Sequence, residues 1–334
     1  MATAASKWDQ WREYLSLDGV RVAAQVVRKH LRPTPLLRHP LLAEAAGVDL
    51  YLKHENHLPT GAFKVRGGLN YMANEADRVR EHGVVTATRG NHGQSIAMAA
   101  QQYDVPCTIV VPHGNNPDKN AAIRAYGSAL VETGRDFDEA REHVEQLVRE
   151  RGMTYVHSAN EPHLIHGVGT YWLEVLEDVP DVDTVYVPLG GGSAVCGAVV
   201  VLRALKPDTR IVGVQAANAP SLYESWKAGR KIETETADTI ADGLATRVPF
   251  DLPFAVLRDE VDDIVLVTEE EIRAAILLLL QTTHNLAEGA GAAATAAVIK
   301  DRNGLQGQKV VAVLSGGNID LDTLHGVMHP KKKH

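Results

Sequence analysis

The sequence predicts an α/β protein of parallel sheets wound by helices on both faces, in two doubly wound domains with the smaller inserted in the larger. Three observations carry that expectation. Short β-rich runs alternate with helical patterns along the whole chain, the order that builds parallel sheets. Several runs are almost continuously apolar, Val310-Val311-Ala312-Val313-Leu314 among them, as in strands covered on both faces. At 334 residues, the chain is longer than one hydrophobic core usually serves.

Taken in order, strands are expected at residues 50–54, 84–88, 107–111, 129–132, 154–157, 184–187, 211–215, 264–267 and 309–314. Helical patterns lie between them, at 91–103, 137–151, 164–177, 194–205, 269–283 and 290–300. The start at 269 is well marked. Thr268 supplies a capping hydroxyl, and Glu269, Glu270 and Glu271 face the positive end of the helix. Four strand–helix repeats fall between about Asn74 and His157. The expected division is therefore a large domain of residues 1–73 with 158–334, and a small inserted domain of residues 74–157. Ligands in such folds sit in the cleft at the strand ends.

Composition excludes several classes. A net charge of −8 argues against nucleic acid or an anionic membrane as partner. Two cysteines, Cys107 and Cys196, are too few for a disulfide framework and suit a reducing compartment. The first fourteen residues carry Lys7, Asp9, Arg12 and Glu13 and lack the apolar core of a secretion signal. The longest apolar run, 274–280, is far short of the roughly 20 residues a membrane span needs. A cytoplasmic protein is the expectation, with Pro330-Lys331-Lys332-Lys333-His334 as a frayed tail.

Three segments carry chemistry. In Thr60-Gly61-Ala62-Phe63-Lys64 a lysine stands between a flexible turn and a helix start, with an aromatic ring beside it. In Val187-Pro188-Leu189-Gly190-Gly191-Gly192-Ser193-Ala194 a strand runs through a glycine turn into a helix, whose first amides suit a phosphate. The last strand ends in the hydroxyl of Ser315. A dinucleotide fits the glycine turn poorly, because Val195 stands where the third glycine belongs and the next strand ends in Gln215, not an acid. A nucleotide P-loop fails for want of a Lys-Ser/Thr pair after Gly197. A single phosphate is the better ligand. An amine, a phosphate cradle and a strand-end hydroxyl are the three holds that pyridoxal phosphate requires. A fourth segment, Thr88-Arg89-Gly90-Asn91-His92-Gly93, is a strand–loop–helix junction able to bind a carboxylate or a phenolic oxygen. The histidines form no His-Glu-x-x-His pattern, and no metal site is expected.

In their order and spacing these four segments resemble the fold type II pyridoxal-phosphate enzymes, in the threonine/serine dehydratase and serine racemase branch. The resemblance covers about Leu31 to Asp320. It implies that Lys64 carries the cofactor and that Phe63 lies against its ring. It implies further that Asn91 bonds the phenolic oxygen, that Gly190, Gly191, Gly192, Ser193 and Ala194 bind the phosphate, and that Ser315 meets the pyridine nitrogen. Glu288 matches a glutamate near the ring, and Thr88, Arg89 and His92 fall at substrate-binding positions. The implied activity is a dehydratase (ammonia-lyase) acting on threonine or serine, in a homodimer. A bulkier 3-hydroxy amino acid with an aryl or carboxyl group at Cβ, or racemisation, are the alternatives. The chain departs from the branch at three places. Arg89 replaces the serine that serves racemases as second acid/base. Gln215 and Ser221 replace acidic cation ligands, which makes a divalent metal unexpected. Gly61-Ala62 replaces the commoner serine before Phe-Lys.

Overall fold

The computed structural model describes residues 7–135 and 137–329. The expectations for the first six residues and for Pro330 to His334 lie outside that range. The chain opens with α1 (Leu17–Val27), β1 (Leu36–Leu37), α2 (Pro40–Ala46) and β2 (Asp49–His54). It continues through α3 (Lys64–Val79), β3 (Val84–Ala87), α4 (Asn91–Gln102), β4 (Cys107–Val111), α5 (Pro117–Ala125), β5 (Ala129–Glu132), α6 (Phe137–Arg151) and β6 (Thr154–Tyr155). Then follow α7 (Pro162–Asp178), β7 (Thr184–Pro188), α8 (Ser193–Leu205), β8 (Arg210–Ala216) and α9 (Ser221–Ala228). The last elements are α10 (Asp251–Glu260), β9 (Asp263–Val267), α11 (Glu269–Thr283), α12 (Gly289–Asp301), β10 (Lys309–Leu314) and α13 (Leu321–Met328).

The strands form two sheets. The larger has the order β1-β2-β10-β7-β8-β9 and is parallel apart from β1. The smaller has the order β5-β4-β3-β6 and is parallel throughout. Each reverses its winding once. From β7 the chain steps outward to β8 and β9, and β10 returns to the other flank of β7. From β3 it steps to β4 and β5, and β6 returns to the other flank of β3. Loops leaving adjacent strands at such a reversal part and open a crevice. The loops after β7, β10, β3 and β6 are those that begin at Leu189, Ser315, Thr88 and Val156.

The apolar strands are buried as their composition requires: β3, β7 and nearly all of β8 and β10 are inaccessible. Helix α12 owes its burial to size. Its residues Gly289 to Val298 are nearly all glycine or alanine, so it packs against β7, β8 and β10 through small side chains. The Thr268 capping box forms, its hydroxyl accepting from Glu271 N–H and the Glu271 side chain accepting from Thr268 N–H.

Two expectations need adjusting. The strand expected at 154–157 ends at Tyr155, because His157 turns its Nδ1 back to accept from the amides of Ala159 (3.1 Å) and Asn160 (3.0 Å). A division at residue 73/74 falls inside α3, one continuous helix. Its apolar face joins α1, α4 and α7 in a single core with β3 and β4.

Candidate active site

The two crevices face each other across one cavity of about 600 Å3. Phe63, Lys64, Thr88, Arg89, Asn91, His92, the glycine turn with Ser193 and Ala194, Glu288 and Ser315 all line it. Every site residue expected from the sequence is thus brought to one place.

Lys64 opens α3. Gly61 lies at φ +66°, and a Cβ there would stand 2.4 Å from Asn318 Oδ1, so only glycine serves. Phe63 N–H donates to the Ser315 carbonyl at 3.0 Å, which pins the turn to the end of β10. Lys64 Nζ donates to Ser193 Oγ (2.9 Å) and to the Ser158 carbonyl (3.2 Å). With no carboxylate beside it, burial draws the amine down to about 8. Phe63 presents its ring centroid 5.2 Å from that nitrogen.

The glycine turn is dictated partly by packing. A Cβ on Gly190 would stand 2.0 Å from the Gly243 carbonyl oxygen, and one on Gly192 2.5 Å from Pro253 Cβ with φ at +100°. Gly192 is the N-cap of α8, and no side chain caps that helix. Its first amides and the positive end of a 13-residue helix are turned to the cavity, which suits an anion.

On the opposite flank, Asn91 is held from two sides. Its Nδ2 donates to Glu288 Oε1 at 2.5 Å, and its Oδ1 accepts from Asn318 Nδ2 at 2.8 Å. Asn318 also donates to the Thr60 carbonyl (2.8 Å), so the amide faces of Asn91 are fixed by the same segment that carries Lys64. Gly316 is needed here too, since a Cβ would meet Glu288 Oε1 at 2.4 Å.

The three residues at substrate positions differ in availability. The Thr88 hydroxyl accepts from the amides of Gly90 (2.9 Å) and Gly93 (3.3 Å) and shapes its own loop. His92 is buried, with Nε2 against Thr86 Oγ1 (3.1 Å) and the Val156 carbonyl (3.2 Å). Burial, and then the nearby Lys64 charge, lower it to about 3, so it is a neutral wall. Arg89 alone is exposed, and it lines a second cavity of about 520 Å3 as well. Gln215 spends its Oε1 accepting from Tyr223 N–H (3.0 Å), and Ser221 donates to the Thr246 carbonyl (2.6 Å). Among the described residues, no cluster of three or more His, Cys, Asp or Glu is arranged to hold a metal.

Several lining residues escape sequence reasoning, above all Lys119 and Asp242. Lys119 follows an ordinary Pro-Asp helix start, and Asp242 opens a single 3-10 turn, Asp242–Leu244. Neither has a local signal. Asn318 does have one, because it closes the Ser315-Gly316-Gly317-Asn318 segment.

Fold and site together define a lysine-dependent enzyme with an anion cradle at a topological reversal. The chain belongs to the pyridoxal-phosphate dependent enzymes, whose family model matches residues 27–316. It is 42% identical over 92% of its length to an L-threonine ammonia-lyase of Geobacter sulfurreducens, of which it covers 77%. With an L-threonine ammonia-lyase of Thermotoga maritima it shares 39% identity over 94% of its length and 78% of the relative's. Maize serine racemase superposes with a TM-score of 0.89 at 30% identity, covering 94% of this chain and 97% of that one. The fold is that of the fold type II branch.

The residues fit the family's cofactor. The uncapped start of α8 offers amides for a phosphate. The amine of Lys64 lies against Ser193, the first residue of that helix. Asn91 and Ser315 put an amide and a hydroxyl on the same cavity wall.

Proposed function

We propose that this enzyme is a dehydratase (ammonia-lyase) that converts a 3-hydroxy-L-amino acid, threonine or serine, to a 2-oxo acid and ammonia. The observation that carries it is the amine of Lys64, drawn to about 8 by burial and held on Ser193 at the uncapped start of α8. When bound, pyridoxal phosphate supplies an aldehyde for the substrate amine and a ring that spreads the electron pair left at Cα. Gly190, Gly191, Gly192, Ser193 and Ala194 would hold its phosphate, Asn91 its phenolic oxygen and Ser315 its pyridine nitrogen, with Phe63 and Glu288 beside the ring.

Lys64 Nζ takes the α-proton, which an amine near neutrality does better than one of ordinary basicity. Ser315 offers a hydroxyl where an acid would protonate the pyridine nitrogen. That keeps the electron sink modest and favours early loss of the β-hydroxyl. The hydroxyl leaves as water with the proton that Lys64 removed from Cα, and the released enamine tautomerises and hydrolyses with water to the 2-oxo acid and ammonia. The relatives named above as L-threonine ammonia-lyases support this outcome.

Arg89 favours a second reading of the substrate. An exposed guanidinium at the mouth of the cavity pairs with a carboxylate or stacks on an aryl group at Cβ. It cannot lose its proton and so cannot serve as a second-face base, which counts against racemisation. A cytoplasmic homodimer that engages no nucleic acid and serves amino acid degradation belongs to the same proposal. Its support is the two free cysteines, the net charge of −8 and the family resemblance. No described helix is long and apolar enough to cross a membrane.

The test is 2-oxo acid release by cofactor-loaded protein from L-threonine, L-serine, 3-hydroxyaspartate and 3-phenylserine. Turnover of at least one is expected. Loaded protein that releases no 2-oxo acid from any of them overturns the reading.

A further inference from the structure

One lysine joins the two halves of the cavity. Lys119 stands on α5, beside the smaller sheet, and its side chain is 7% exposed. Its ammonium reaches Asp242 Oδ2 at 3.0 Å and Glu288 Oε2 at 3.7 Å, both in segments that belong with the larger sheet. Its stem crosses the active-site loop, for a Cβ on Gly90 would stand 2.5 Å from Lys119 Cδ. The first glycine of Gly-Asn-His-Gly is therefore the opening through which this lysine passes.

Its two partners each support a different part of the cavity wall. Asp242 precedes Gly243, whose carbonyl packs on Gly190 with no room for a Cβ between them. That contact sets the glycine turn at the phosphate end. Glu288 receives Asn91 Nδ2 at 2.5 Å and so sets the amide at the phenolic-oxygen end. Burial alone would lower Lys119, but the Glu288 and Asp242 carboxylates overcome it and hold the ammonium above its ordinary range. The charge is thus fixed in place rather than poised to titrate.

We propose that Lys119 is a positioning residue: a clamp from the smaller sheet that holds both the phosphate turn and the Asn91–Glu288 pair in register around the cofactor. The clamp acts through those groups and not on the substrate. It rests on the reading of the cavity as the cofactor's site.

The experiment follows cofactor release from loaded protein after dilution, by loss of the bound cofactor's absorbance, in wild type, Lys119→Met, Lys119→Arg and Asp242→Asn. Lys119→Met keeps the stem and removes the charge. Release about tenfold faster is expected, the loss that one charged hydrogen bond implies. Lys119→Arg should recover most of it. Asp242→Asn, at a half-exposed position that does not threaten folding, should release faster in the same direction. Combined with Lys119→Met, it should add less than its effect alone. In cofactor-free protein, Lys119→Met should also raise hydrogen exchange at Asp242 to Leu244 and at Gly289 to Gly291. Wild-type release rates in both Lys119→Met and Asp242→Asn overturn the clamp, as does a fall in turnover with release and exchange unchanged, which would make Lys119 an acid or base. If wild type itself takes up no pyridoxal phosphate, the cofactor reading fails instead, and the two failures are told apart.

Discussion

At the scale of single residues, the amine of Lys64 decides the chemistry. Its depression to about 8 has burial as its first cause, with Cys196 opposing weakly. Cofactor-free protein should therefore take up pyridoxal phosphate faster as pH rises from 6.5 to 8, and no faster beyond about 9. Stopped-flow absorbance measures this; a rate still climbing towards pH 10.5 would show an unperturbed lysine. Lys64→Ala should lose turnover by many orders of magnitude, since base and covalent anchor go together. Arg89 is the other decisive residue, and it is exposed. If it grips substrate, Arg89→Ser costs about 1.5–3 kcal/mol in kcat/KM for the substrate it recognises, with the cofactor still bound. Identical kinetics across all four hydroxy amino acids would make it a surface arginine.

Elements deliver these residues, and α3 does most of it. Two residues after Lys64, the same helix buries Arg66 completely, between Glu55 Oε2 (2.7 Å) and Glu174 Oε1 (2.7 Å). Lys53 on β2 reaches Glu174 Oε2 at 2.5 Å, and Thr34 donates to Glu55 Oε1 at 2.6 Å. Two cations and two carboxylates thus join β2, α3 and α7 in a neutral, fully hydrogen-bonded group. Burial would raise Glu174, but Arg66 and then Lys53 overcome it and hold the carboxyl below its usual range. Glu174→Ala would leave both cations short of a partner. A loss of about 3–5 kcal/mol is expected, the cost of stranding a buried charge, read from the denaturant midpoint. An unchanged midpoint would mean that water fills the gap without penalty. The sequence hides this network, because Lys53, Glu55, Arg66 and Glu174 look like ordinary surface charges until the fold brings them together. What is legible has local periodicity or punctuation. The buried strands declare themselves by apolar runs, and the turn at Gly190 by three glycines. The two-residue strand β1 exists only through its pairing with β2, so no run of residues announces it. Lys119 and Asp242 are hidden for the same reason as the network, since they meet across 123 residues.

The whole molecule carries several neutral imidazoles in its interior, and this sets its response to acid. Burial comes first in each case. It lowers His54 and His92 to about 3, and His157 and His166 to about 4. Geometry agrees where a ring nitrogen serves as acceptor. His157 Nδ1 accepts from two amides, and His166 Nε2 accepts from Ser16 N–H at 3.2 Å, tying the entry of α1 to α7. An imidazolium could keep none of these bonds. The unfolded chain takes up these protons near 6.5, while the folded chain refuses them until pH 3–4. Between those limits the unfolded state binds more protons, so the stabilisation is whole above pH 6.5 and is lost as pH falls. Each imidazole steepens the fall by up to about 1.4 kcal/mol per pH unit. Denaturant unfolding at pH 7 and pH 5 should therefore differ by several kcal/mol. His166→Gln, which keeps a side-chain acceptor but cannot titrate, should flatten the dependence by about one proton's share. Equal stability at the two pH values would mean that the folded protein accommodates the charged rings, and that the cleft wall formed by His92 and His157 is polar when protonated rather than closed to charge.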